Sequence, residues 1–500
     1  MSLNWVSVVW SSADRWPGRA AIVDGDTVVD YATLRERAAN HAHVLADAGV
    51  RPGERVGLLF RRTPEVAAAL FGTWAAGAVA VVIADVLQPR QIEHVIRHSG
   101  AKVLVTEGDQ IRHHRELDIQ ATTLAPPPTG DEAGSAFAVL PRDGGDVAQL
   151  VYTSGSTGLP KGVTVTHANL HAGVESVGRY LRVDASDRLV SLLPFSFDYG
   201  LNQLLVAIAA GAALVIERSP IAARIDRTLR TAEVTVVAGV PTLWNQLLQV
   251  ASFRHEPIES VRAMTNTGGR LPEETVRQLR VAQPQAALFS MYGLTEAFRS
   301  TYLDPSLVDR KPTSVGKAIP GAEVWVMRPD RSPCRPHEVG EIVHRGPTVT
   351  LGYWDDQATT DRMFRCGARH PDHPTSPDCV VHSGDFGWVD DDGDLYIEGR
   401  RDRLVKRLGY RISPDEVAEA IFASRLVRDA CVTTSQSDGQ DPDIIGHVVL
   451  HDGADIDQLG RHLAVELPRH LRPSQLVAHD RLPTTPNGKH DVHALAGATG

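Results

Sequence analysis

The densest run of small and hydroxylated residues in the chain is VYTSGSTGLPKGVTVTH, from Val151 to His167. Thr153, Ser154, Gly155, Ser156 and Thr157 stand in a row, followed by Gly158 and a lone Lys161. The run offers little apolar surface to a core. Its glycines instead let successive backbone N–H groups converge, and its hydroxyls add donors, so that together they can wrap phosphate oxygens. Lys161 supplies a point charge to the same end. The spacing is not G-x-x-x-x-G-K-[ST], because Gly158 is followed by Leu159, Pro160 and Lys161; a P-loop ATPase is therefore disfavoured. A flexible linker is disfavoured as well, since apolar strand patterns (AQLVY before, GVTVTH after) pin the loop on both sides.

The elements that must hold such a loop read as α/β. Short β-rich runs (RVGLLF, AVAVVI, AKVLVT, AALVI, VTVVAGV) alternate with amphipathic or Ala-rich stretches, the pattern of mostly parallel sheets covered by helices. Residues 125–132 (APPPTGDE) and 370–377 (HPDHPTSP) read as surface loops, too rich in proline for a helix or a central strand. After Gly399 the texture becomes charge-rich, and Ser413, Pro414 and Glu416 mark the start of a helix. A small α+β unit is expected beyond a boundary at Arg401–Asp402.

At 500 residues the chain is too long for one ordinary core. A net charge of −10, with 51 basic residues interleaved among 61 acidic ones, argues against a nucleic-acid-binding surface. Val66 to Ala84 is uncharged, but it is Ala- and Gly-rich and reads as a buried helix running into a buried strand, so no membrane insertion is expected. The cysteines, Cys334, Cys366, Cys379 and Cys431, show no CxxC spacing; neither a zinc site nor a disulfide scaffold is indicated. Cys366 and Cys379 lie near enough in one loop to meet, yet reduced thiols in a cytoplasmic protein are the simpler expectation. The chain opens without a basic region leading into an apolar run, so a secretory signal is not expected.

TSGSTGLPKGV resembles the phosphate loop of the AMP-forming adenylating superfamily, which includes acyl-CoA synthetases, adenylation domains of peptide synthetases and luciferases. Companion motifs follow in the family's order along nearly the whole chain. Met291-Tyr-Gly-Leu-Thr-Glu296 is similar to the YGxTE element, Thr267-Gly-Gly-Arg270 to the segment lining the adenine pocket, and His382-Ser-Gly-Asp385 to TGD without its usual lead-in. LPTTPNGKHD, containing Lys489, resembles the closing motif, and Arg403-Leu-Val-Lys406-Arg-Leu-Gly409-Tyr-Arg411 the segment after the hinge.

The resemblance implies an adenylation domain over residues 1–401, binding ATP and acid, and a mobile domain over residues 402–500 carrying the catalytic lysine. It implies that Tyr292 stacks on adenine beside Gly268, Gly269 and Arg270, and that Thr295 faces the α-phosphate. Glu296 would hold Mg2+, a hard ion usually bound by a carboxylate plus phosphate oxygens. Asp385 and Arg400 would bind the ribose, and Lys489 would bridge the substrate carboxylate and the α-phosphate. Asp402 would be the pivot, with Gly409 and Arg411 beside the acceptor tunnel.

The acid is less legible. Phe197 stands where many acyl-CoA synthetases have His. Asp198 falls, in an alternative alignment, on the residue with which amino-acid-activating domains hold an ammonium. Tyr199, Asn202, Ala238, Thr267, Met291, Arg299 and Ser300 match other pocket positions. Their mixed polarity suits a compact functionalised acid (aryl, keto or amino) better than a long saturated tail. Arg299 pairing with Asp198, or facing solvent, stays open. No carrier motif of the GGxS kind is present, so the acceptor is expected from elsewhere: coenzyme A first, a free amine giving an amide second, a carrier-protein thiol third. A nucleotide-binding protein without turnover and a hydrolytic ATPase are the readings from other classes.

Overall fold

The computed structural model describes residues 4–107, 121–127, 137–153, 159–366, 379–400, 403, 405–407, 410–435 and 442–497. Ser154, Gly155, Ser156, Thr157, Asp402 and Gly409 lie outside the described residues, as do most of the two proline-rich stretches and the boundary itself; for Arg411 the description stops at the backbone.

The alternation of apolar runs and helices folds into two large sheets. The first is six-stranded, in the order 122–124, 103–106, 55–60, 79–84, 147–153, 161–166. It is parallel except at its last pair, where Thr153 stands opposite Lys161 in antiparallel register. The two strands flanking the glycine-and-hydroxyl loop are thus hydrogen-bonded to each other, and this fixes where the loop begins and ends. The uncharged stretch resolves into a helix, Pro64–Ala75, and a strand, Val79–Ala84. Both are almost entirely buried, which explains the absence of charge. No helix among the described residues is long and apolar enough to cross a membrane.

The second sheet is fourteen-stranded. One half is parallel, through the strands 213–216, 188–191, 236–239, 263–266 and 287–292. The other half, from 301–302 out to 323–327, is antiparallel. The alternation pattern had announced the parallel half only. The antiparallel wing joins its strands by short turns, which carry no helical period to read. The two sheets share a core in which Trp5 packs against Phe71 and Trp74 with ring centroids 6.0 and 5.6 Å apart. Cys366 and Cys379 prove to be register partners at the end of an antiparallel pair, while Cys334 and Cys431 are free thiols.

Beyond residue 410 a three-stranded sheet (427–435, 443–450, 475–478) and the helices Pro414–Ala423 and Ile456–Glu466 close around their own core of Ile412, Val417, Ile421, Val448 and Leu459. The first helix starts where its signals stand: Ser413 accepts from the Asp415 N–H and Pro414 occupies the first turn. This unit reaches back over the large one through the Arg270–Glu419 pair at 3.7 Å and the Arg425–Glu274 pair at 3.3 Å. The Glu273 N–H also donates to Glu419 at 2.8 Å.

Candidate active site

A cleft of about 2300 Å3 runs between the two units. The C-terminal ends of the parallel strands 236–239, 263–266 and 287–292 point into it, the position at which open α/β sheets present ligand-contacting loops.

At the mouth, Lys161 leaves the last strand of the first sheet and donates to Asp356 Oδ2 and Thr359 Oγ1, both at 2.9 Å. That contact holds the Asp356 carboxyl well below its usual range. Glu296 sits in the short turn Thr295–Ala297, and Thr295 lines the cleft beside it. The Tyr353 hydroxyl donates to Glu296 Oε1. The other carboxylate oxygen has no hydrogen bond to the described residues, which leaves a hard donor open to the cleft.

The Tyr292 hydroxyl donates to Asp385 Oδ2 at 2.5 Å, and Arg400 Nε stands 3.7 Å from the other oxygen. Strand register accounts for the second contact, because Asp385 and Arg400 are cross-strand partners. Burial, reinforced by the neighbouring Asp385 carboxylate, raises the Tyr292 phenol well above its ordinary value, so it remains a donor. His344, with its ring centroid 5.5 Å from Tyr292, is pushed down to about 3 by burial and is neutral. Arg270 lines the same cleft, although it also pairs with Glu419 of the small unit.

Lys489 comes from the small unit. The turn before it is closed by hydrogen bonds from the Gly488 N–H to Thr485 O (2.9 Å) and from the Thr485 N–H to Lys489 O (2.7 Å). The turn docks on the large unit through the Thr242 hydroxyl, which donates to Gly488 O. From there the side chain passes Gly268, whose φ of +81° bends the backbone aside; a Cβ at that position would come within 3.0 Å of Lys489 Cε. The ammonium ends 5.4 Å from the Phe197 ring centroid. Lys489 keeps accessible surface because it faces the open cleft, yet protein encloses it on the larger scale. That enclosure lowers its ammonium from the ordinary value, with Asp198 acting in the opposite direction.

Deeper in, the helix Asp198–Ala210 brings Asp198 and Tyr199 to the wall with Phe197, Thr267, Met291 and Arg299. Asn202, Ala238 and Ser300 are fully buried and do not reach the cleft surface. Arg299 and Asp198 do not form an ion pair, and Arg299 does not face solvent. Its guanidinium lies 4.5 Å from the centroid of the Tyr199 ring.

Several participants had no legible motif. Tyr353, Asp356 and Thr359 arrive because residues 350–354 run alongside the strand Lys161–Thr166, with hydrogen bonds from the Leu351 N–H to Thr164 O and from the Trp354 N–H to Gly162 O. A Gly-Tyr-Trp turn some sixty residues beyond Glu296 gives no hint of that pairing. Across the units, Asn245 Nδ2 donates to Asp429 Oδ1 at 3.0 Å, and His490, next to Lys489, meets Asp429 Oδ2 at 3.0 Å.

The small unit thus delivers the ammonium of Lys489 into a cleft at the ends of the large unit's parallel strands. The sequence model described as "AMP-binding enzyme" matches residues 9–354. The chain is 28% identical to an L-proline--[L-prolyl-carrier protein] ligase of Pseudomonas fluorescens, over 97% of either chain. It is 30% identical to a feruloyl-CoA synthase of Amycolatopsis sp, over 95% of this chain and 94% of that one. Other relatives are far longer: the chain spans 11% of gramicidin S synthase 2 of Aneurinibacillus migulanus, at 26% identity. The o-succinylbenzoate CoA synthetase of Bacillus subtilis, solved with the acyl-adenylate intermediate OSB-AMP, superposes with a TM-score of 0.85 at 26% identity, over 99% of this chain and 98% of that one. The same synthetase has been solved with ATP and a magnesium ion. The chain belongs to the family of AMP-binding enzymes, the adenylate-forming ligases.

Proposed function

We propose that the chain activates a compact, functionalised carboxylic acid with ATP and then passes the acyl group to a thiol, that of coenzyme A. In the first half-reaction the carboxylate attacks the α-phosphate; a P–O bond forms to the acid, the bond to pyrophosphate breaks, and acyl-adenylate remains. In the second the thiol displaces AMP from the mixed anhydride. The observation that carries this reading is the seat of Lys489, inside the cleft between the acid-side wall and Gly268. Charge builds on the α-phosphate oxygens during attack, and an ammonium fixed there in advance stabilises it without reorganisation.

The other residues then have roles. Asp385 and Arg400 bind the ribose and Tyr292 packs on the base. Gly268, Gly269 and Arg270 border the base, and Thr295 faces the α-phosphate. The loop containing Thr153, Ser154, Gly155, Ser156 and Thr157 wraps the leaving phosphates, which compete with Asp356 for Lys161. Glu296 fits Mg2+, because its unpartnered carboxylate oxygen is the hard donor that ion takes while retaining waters and phosphate oxygens. Asp402, Gly409 and Arg411 belong to the hinge and acceptor path, along which the small unit turns once the adenylate has formed.

Mass spectrometry of products, after mixed acids are offered with ATP and coenzyme A or with amines, tests the whole scheme. AMP with an acyl-CoA is the expected outcome. An amide would move the acceptor to an amine, and ADP in place of AMP would end the reading. Tyr353→Phe frees the Glu296 oxygen from its positioning bond, and is expected to raise the magnesium concentration for half-maximal pyrophosphate release by roughly 3- to 10-fold, the worth of one hydrogen bond. An unchanged magnesium titration would detach Tyr353 from the metal role.

A further inference from the structure

At the acid end of the cleft one permanent charge has no hydrogen-bond or ion-pair partner among the described residues. Arg299 is 2% exposed, its Nε is enclosed without an acceptor, and no carboxylate among the described residues lies within ion-pair distance of it. A guanidinium does not shed its proton at any working pH, so it cannot escape burial by neutralising. The Tyr199 face beneath it gives partial compensation. The Tyr199 hydroxyl gives none, because it is committed to Thr265, donating to the carbonyl oxygen at 2.8 Å.

The placement is enforced by the backbone. Phe298, the residue before Arg299, is held at φ 59°, ψ −86°, a conformation that non-glycine residues adopt only when their surroundings impose it. Its ring fills the space left by Gly173, where a Cβ would come within 2.3 Å of it. Asp198 is the acid nearest in influence. It is 8% exposed, its Oδ1 is unpartnered, and burial raises its carboxyl while Arg299 and Lys489 pull it down.

We infer that the acid pocket takes a compact dicarboxylic acid: one carboxylate reacts beside Lys489, and the second pairs with Arg299. This rests on the adenylation reading above. Two anions then meet two cations across the pocket, and the Arg299 guanidinium acquires an acceptor. An ammonium at the same place would face Arg299, and a monocarboxylate would leave the guanidinium buried and unpaired. The apolar rings of Phe197, Tyr199 and Phe298 keep the skeleton between the two carboxylates short.

The test offers a monocarboxylate, an α,ω-dicarboxylate and an ω-amino acid of equal chain length, in short aliphatic and aryl sets, and reads ATP–pyrophosphate exchange. The dicarboxylate is expected to exceed the other two in kcat/KM by on the order of 10- to 100-fold, the range for a charged hydrogen bond left unmade. Arg299→Leu should collapse that ratio, and Arg299→Lys should restore part of it. Equal use of all three acids, a preference for the amino acid, or a ratio that survives Arg299→Leu would each overturn the inference. Should no acid give exchange, it is the adenylation reading that fails. Calorimetric binding of the dicarboxylates to the unmodified chain without ATP then decides the pocket, and heats no greater than those of the monocarboxylates would overturn the assignment.

Discussion

Lys489→Ala is expected to slow acyl-adenylate formation by roughly 10^2- to 10^3-fold, the cost of removing one prearranged charge from a developing oxyanion. Thioester formation from synthetic acyl-adenylate and coenzyme A should change by only a few fold, because no charge accumulates on phosphorus in that step. The split follows from geometry: Lys489 belongs to the small unit, and it enters the cleft only through the docked turn at Gly488. The same seat sets a pH dependence. Protein around the open cleft has lowered the ammonium below its ordinary value, so its proton leaves earlier as pH rises, and adenylate formation should fall on the alkaline side before a lysine of ordinary pKa would titrate. Pyrophosphate release and thioester formation followed separately against pH check both statements. Equal losses in the two half-reactions would mean that Lys489 supports the fold rather than the first step.

Local signals reached a good part of this arrangement. The glycine-and-hydroxyl run announced a loop held by strands, and the strands are paired with each other across it. Ser413 and Pro414 announced a helix, and the helix begins there. The Ala-rich stretch announced burial on every side. What stayed hidden depends on tertiary pairing. The antiparallel wing carries no helical period to read. Tyr353 reaches Glu296 because residues 350–354 run alongside a strand nearly two hundred positions earlier, and single-sequence periodicity carries no register between such distant segments. The charge state of the acid pocket was hidden for the same reason: Arg299 paired with Asp198 and Arg299 left alone are identical in sequence, and only the depth of burial and the turn at Phe298 separate them.

Asn245→Ala is expected to slow adenylate formation by about 10-fold while leaving transfer from preformed adenylate nearly unchanged, the effect of one hydrogen bond to a carboxylate on the docked geometry. Asn245 belongs to the large unit, where Thr275 Oγ1 donates to its carbonyl oxygen at 3.2 Å and orients the amide. The amide then donates to Asp429, whose second oxygen holds His490. The lysine's nearest neighbour in sequence is in this way tied to the large unit through two charged hydrogen bonds. Burial alone would push the His490 imidazole down, but Asp429, with Cys431, pulls it up to about 10, so the ring is cationic at neutral pH. The sign is that of a raised pKa. The pair's contribution to stability is complete below about pH 6.5, the ordinary histidine value, and it fades as pH rises through about 10. Replacing Asp429 with Asn should flatten that alkaline loss in a thermal-unfolding series and lower adenylate formation together with Asn245→Ala. A double variant no slower than either single one would place both residues in one chain of contacts. Fully additive losses would mean that they act separately, and that the contact across the units does not hold Lys489 in place.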